Sequence, residues 1–165
     1  SPLFSTLNNI EIILHPTIAI GNYNRKPYFF YKQGINKKIE KQISLLDQER
    51  ISLGRYLKLN LLPICDVLKN RYSKINKKPY PENLMDIFSK SEPFYSSKIK
   101  YSDKYSRYIE DEVPFRLVPL YYLGLECGFK MTATYNIINN ACEINGVDYF
   151  INGRRMKNIK NHPLV

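Results

Sequence analysis

His15 and Pro16 stand inside an apolar run, "NNIEIILHPTIAIGNYN", early in the 165-residue chain. A second polar cluster follows in "RYIEDEVPFRLVPL", where Arg107 lies five residues before Glu112 and Glu110, Asp111 and Glu112 are consecutive. These residue types can combine in one kind of chemistry. A carboxylate orients and charges a histidine, the histidine exchanges a proton with a substrate, and an arginine grips a substrate carboxylate as a bidentate fork. Each part also has a plain structural reading. His15 fits a core histidine beside a bend, and carboxylates just ahead of a helix complement its positive N-terminal end.

The elements that must position these residues read as helices. Leu7, Ile10, Leu14 and Ile18 recur at helical spacing, with Asn8, Glu11 and His15 on an adjacent polar stripe. That predicts one helix running to about Asn22. Pro16 has no backbone donor and its ring crowds the carbonyl four residues back, so a kink is expected there. "NRKPYFFYKQG" reads as a loop or short extended piece between breakers. "NKKIEKQISLLDQERISLGRYLKL" is the clearest helix, with Asn36 as N-cap and Ile39, Ile43, Leu46, Ile51 and Leu53 on or near one apolar stripe. Glu49 interrupts that stripe, which fits either a polar helix–helix contact or plain exposure.

Further along, Pro63 opens a helix to about Tyr72, "SKINKKPYP" is a loop, and Pro81 or Glu82 begins another short helix. The Tyr- and Lys-rich run 94–106 reads as irregular. Pro114 fits a first helical turn, Pro119 a kink, and Gly128 the left-handed residue after a helix end. "TATYNIINNACEING" is a helix closed by Gly146, and Asp148 or Asn152 would cap a final turn. No alternating strand pattern persists and no repeat is visible. The expected fold class is therefore all-α, a multi-helix domain over residues 1–165.

Composition narrows the function classes. With 44% hydrophobic and 24% charged residues, the chain reads as one soluble globular domain. No apolar run approaches the length of a membrane span, and Ser1-Pro2 does not begin a secretory leader. A chain that lacks a starting methionine and opens on a patterned helix reads as a piece of a longer protein. Cys65, Cys127 and Cys142 are odd in number and lack metal-ligand spacing, so they fit free thiols in a reducing cytoplasm, with no metal site. The net charge of +10 raises nucleic acid as a partner. Acidic residues interrupt the lysines, however, and a basic cleft for anionic small molecules fits the charge equally well.

The ordered stretches "LNNIEIILHP", "FFYKQGINKKIEKQISLLDQERISLGRYL", "RYIEDEVPFRLVPLYYLGLECG" and "NGRRMKNI" span most of the chain. In that order the chain resembles the C-terminal helical domain of the opine dehydrogenases, the octopine/nopaline dehydrogenase family. The resemblance implies an NAD(P)-dependent oxidoreductase that reductively couples an amino acid to a 2-oxo acid. It implies an N-terminal Rossmann domain, absent from this chain, that holds NAD or NADP. No cofactor is then expected on this fragment, which should be inactive alone. The family's acid/base histidine falls on His15, its carboxylate partner on Glu112, and its substrate-binding arginine on Arg107. Glu112 stands where the family usually has aspartate, so Asp111 in a shifted register is the alternative partner. Glu11 and Ile12 also replace a common Asn-Pro ahead of the histidine.

Two other functions stay in view. One is a related dehydrogenase that reduces a 2-oxo acid or ketone without coupling an amine. The other is a basic all-α interaction or nucleic-acid-binding domain. An exposed apolar helix face would serve either the missing domain or a homodimer.

Overall fold

Two helices, α1 (Pro2–Asn8) and α2 (Glu11–Gly21), stand where the apolar spacing predicts one. The computed structural model describes residues 2–25, 27–76, 81–90, 98–99 and 107–154. Asn9 makes the break. Its Oδ1 accepts the Glu11 N–H at 3.0 Å, and its own N–H donates to the Thr6 carbonyl at 3.3 Å. A short amide side chain that captures a nearby backbone N–H competes with the helix ladder. Helix α2 then runs on with Pro16 inside it, and the interruption between the two helices falls at Asn9–Ile10. Leu7, Ile10, Leu14 and Ile18 are all buried across the break, which is why their spacing reads as one element.

Helix α2 is the centre of the fold. Eight of its eleven residues are buried, on every side, as expected of a helix surrounded by others rather than one with a single wet face. Against it pack α3 (Phe30–Gly34), α4 (Lys37–Tyr56), α7 (Arg107–Glu110) and α9 (Thr132–Asn145). The segment expected to be a loop thus holds α3, preceded by the two-residue strand β1 (Tyr28–Phe29). Strand β1 pairs antiparallel with β2 (Lys98–Ile99), Tyr28 opposite Ile99. The rest of the run 94–106 lies outside the described residues.

Helix α4 carries the structural polar contacts. Asn36 caps it, accepting the Ile39 N–H at 3.0 Å. Ile39, Ile43, Leu46 and Leu53 line its buried stripe, and Ile51 is half-buried at its edge. Arg50, fully buried, donates to Asp47 Oδ1 at 2.8 Å, to the Leu7 carbonyl at 2.9 Å and to the Leu62 carbonyl at 2.6 Å. Asp47 Oδ2 in turn accepts the Ile64 N–H at 2.8 Å, at the start of α5 (Ile64–Asn76). Glu49 reaches across to α9, accepting from the Ala133 N–H at 2.7 Å, the Thr134 N–H at 2.9 Å and the Thr134 hydroxyl at 2.7 Å. It therefore makes a helix–helix contact. The need for it is local, because Met131, at the N-cap of α9, has a left-handed backbone and no capping side chain.

The remaining helices are α6 (Leu84–Lys90), α8 (Val118–Glu126) and α10 (Tyr149–Asn152). Gly128 and Gly146 take positive φ of 85° and 64° as helix-ending residues. Asp148 caps α10 by accepting the Ile151 N–H at 3.1 Å. Among the described residues, no helix is long and apolar enough to cross a membrane. Cys65, Cys127 and Cys142 are unpaired and half-buried.

Candidate active site

His15 projects from the middle of α2 with 8% of its surface exposed. Its Nδ1 faces Glu112 Oε1 at 3.5 Å. Its Nε2 lies 2.8 Å from the Tyr31 hydroxyl, which α3 supplies. The imidazole is boxed by aromatic rings: Tyr108 at 4.4 Å between centroids, Phe30 at 5.9 Å and Tyr31 at 6.2 Å. A ring hydrogen-bonded at Nε2 and packed by three aromatic rings has little rotational freedom.

Glu112 is 3% exposed and owes its position to an irregular helix. After α7 the chain turns at Asp111 and enters a π-helical segment, Val113–Leu117, which leads into α8. Two prolines account for it. Val118 N–H bonds the Val113 carbonyl, five residues back, and Pro119 has no N–H to offer. The Pro114 carbonyl is left without a helical donor, and the Arg154 N–H takes it at 2.8 Å. Such a widened turn shifts the residues before it relative to those after it, and π segments recur at functional sites. Pro119, where the sequence predicts a kink, follows this π turn directly. Arg116 Nε, one helical turn beyond Glu112, lies 3.0 Å from Glu112 Oε2.

The carboxylate therefore sits between an imidazole and a half-exposed guanidinium. Neither contact is a well-directed hydrogen bond: Glu112 Oε2 and His15 Nδ1 are both sealed from solvent without one. The 3.5 Å separation exceeds the roughly 3.2 Å limit of a made N–H···O bond. A small movement of either side chain would close it, as catalytic contacts often do when substrate binds.

The other residues singled out in the sequence are placed differently. Asp111 is exposed and its backbone closes the turn, its N–H donating to the Arg107 carbonyl at 3.0 Å. Glu110 is exposed on α7. Arg107, the first residue of α7, is exposed and immediately precedes Tyr108, the ring packed closest on His15. Sequence reasoning missed Tyr31, Tyr108, Phe30 and Arg116. Arg116 had a signal, its i,i+4 spacing from Glu112. The aromatic residues had none, because only the tertiary fold brings them to His15. Beside this cluster, burial pushes the Tyr28 phenol up to about 12, against the lowering effect of Arg25.

The described residues do not fit a dinucleotide. The sequence contains no G-x-G-x-x-G, and the described strands are two residues long, so no strand–turn–helix cradle for a pyrophosphate is present among them. Nor do the described residues group three or more His, Cys, Asp or Glu side chains for a metal.

Comparison with known proteins agrees with this architecture. Residues 1–145 match the family described as NAD/NADP octopine/nopaline dehydrogenase, alpha-helical domain. An opine dehydrogenase from Arthrobacter sp. (strain 1C) is 25% identical over 126 residues, covering 74% of this chain. The chain spans only about a third of that relative, 33% of its length. A solved octopine dehydrogenase structure, described with NADH and L-arginine, superposes with a TM-score of 0.74 at 15% identity. That match covers 93% of this chain and 44% of the other, and it shows the fold.

Proposed function

The chain belongs to the NAD/NADP octopine/nopaline dehydrogenase family as its alpha-helical domain, and from that premise we propose that it is the substrate-binding and catalytic part of an opine-type dehydrogenase. The reaction is the reductive coupling of an amino acid to a 2-oxo acid. The observation that carries this reading is the buried pair of His15 and Glu112, 3.5 Å apart, from two stretches far apart in sequence. A solvent-sealed carboxylate facing one imidazole nitrogen directs the other nitrogen's proton chemistry outward. Glu112 is favoured over Asp111 as partner because it is the buried one of the two.

Arg107 takes the role of substrate anchor. It is exposed beside the Tyr108–His15 contact, and a guanidinium fork suits a planar carboxylate, which both substrates carry. Arg107→Ala should mainly raise the KM for the 2-oxo acid. The nicotinamide cofactor, NAD or NADP, belongs to a Rossmann domain preceding this one. Phe115 and Ile151, 58% and 67% exposed on the adjoining π segment and α10, suit a covering surface, either that domain or a second copy. The unpaired cysteines suit the cytoplasm.

The full-length protein containing this chain tests the reading. Oxidation of NADH or NADPH is followed with pyruvate alone and with pyruvate plus each L-amino acid, and products are identified by mass spectrometry. Oxidation that requires both substrates and yields a secondary-amine dicarboxylate is expected. Turnover of the oxo acid alone, with no amine incorporated, would replace coupling by simple ketone reduction.

A further inference from the structure

We propose that Tyr31 carries the proton between His15 and the substrate, making the acid/base unit a chain of Glu112, His15 and Tyr31. The proposal rests on His15 acting as the acid/base in the reading above. It starts from occupancy: the imidazole nitrogen that should face substrate is already engaged, 2.8 Å from the Tyr31 hydroxyl. The other nitrogen, Nδ1, is sealed from solvent and faces Glu112. A proton leaving His15 therefore has its way out through the phenol.

Electrostatics fixes the resting direction of this chain. Glu112, as a carboxylate, can only accept, so neutral His15 keeps its proton on Nδ1 and presents the Nε2 lone pair to the Tyr31 O–H. A protonated His15 reverses that contact, donating Nε2–H to the phenolic oxygen and freeing the phenolic proton to be donated onward. One hydroxyl can accept and donate at once. The ring is held for this. Tyr31 stacks on Phe88 of α6 with centroids 5.0 Å apart and planes at 13°, and meets Phe30 edge-on at 5.0 Å. It is half-buried, more exposed than His15 behind it.

The step concerned is loss of water from the adduct of amine and oxo acid. The carbon–oxygen bond breaks with its electron pair going to oxygen, while the nitrogen lone pair closes the C=N bond. The departing oxygen takes the phenolic proton to become water, and the phenolic oxygen takes the Nε2 proton of the His15 imidazolium. His15 ends neutral, with its remaining proton on Nδ1 toward Glu112. No oxidant or reductant takes part.

Two measurements test this. The chain has two histidines, so nitrogen-15 NMR of the labelled chain resolves His15. The neutral ring should carry its proton on Nδ1, and Tyr31→Phe, which keeps the stacked ring, should weaken that preference. A proton on Nε2 in the unsubstituted chain would overturn the proposal. In the full-length protein, assayed with NADH, pyruvate and the amino acid giving turnover, Tyr31→Phe should lower kcat about a hundredfold or more with little change in KM. His15→Asn is run alongside. If Tyr31→Phe retains wild-type kcat while His15→Asn does not, the relay is wrong and the acid/base reading stands. If both retain it, the acid/base reading itself fails.

Discussion

Replacing Arg50 by methionine should destabilise the fold more than any other single change considered. The guanidinium is fully buried and ties three separate pieces of chain together: Asp47 on its own helix, the Leu7 carbonyl at the end of α1, and the Leu62 carbonyl before α5. Methionine approximates the volume of the arginine stem but donates nothing. It leaves Asp47 a buried carboxylate whose one remaining bond is to the Ile64 N–H, and it leaves two carbonyls unpaired. Removing one partner of a buried ion pair costs about 3–5 kcal/mol. For a chain of this size each kcal/mol moves Tm by about 2–4 °C, so Arg50→Met should lower Tm by about 6–20 °C in a calorimetric scan. Adding Asp47→Asn removes the stranded charge while keeping a carbonyl acceptor for Ile64, and the double variant should recover part of the loss. A single-variant loss below about 1 kcal/mol, or no recovery in the double variant, would refute the claim that this contact braces the helices around α2.

Glu49→Ala removes three hydrogen bonds to the start of α9 and should cost about 1–3 kcal/mol in urea unfolding, with Glu49→Gln losing less. The Tyr28 phenol is held neutral by burial, its pKa raised to about 12. The folded state therefore keeps this proton where the unfolded chain has already lost it. The associated stability is full below the unfolded value near 10 and is lost as pH rises towards 12. Tyr28→Phe should flatten that alkaline fall in Tm.

Much of the helical framework was legible from single residues whose chemistry acts locally. Asn36 caps the helix it was expected to cap, Asp148 is the one of two candidates that caps the last, and Gly128 and Gly146 end helices in the left-handed conformation. The split between α1 and α2 was not legible, because the apolar stripe runs straight across it and Asn9 acts through one side-chain bond. Strands β1 and β2 pair across about seventy residues, and two-residue strands leave no periodic trace. The π turn was not legible: Pro114 and Pro119 stand five positions apart in the sequence, but a proline marks a break in the helix ladder without specifying a widened turn. In the site, charge and spacing alone left Glu112 and Asp111 equivalent. Burial separates them, and burial depends on how α7 lands on α2. Tyr31 was invisible for the same reason: only the return of α3 against α2 brings its hydroxyl to His15.

The central claim is that the buried imidazole of His15, backed by Glu112, performs the acid/base step of a dehydrogenase. Its most direct test is the turnover of His15→Ala in the full-length protein, with circular dichroism confirming an unchanged helical fold. Loss of a positioned general acid/base lowers turnover by about two to four orders of magnitude, and the account predicts a loss in that range with Glu112→Gln losing less. Wild-type kcat in a correctly folded His15→Ala protein would contradict it, and would leave His15 as a core histidine packed among aromatic rings.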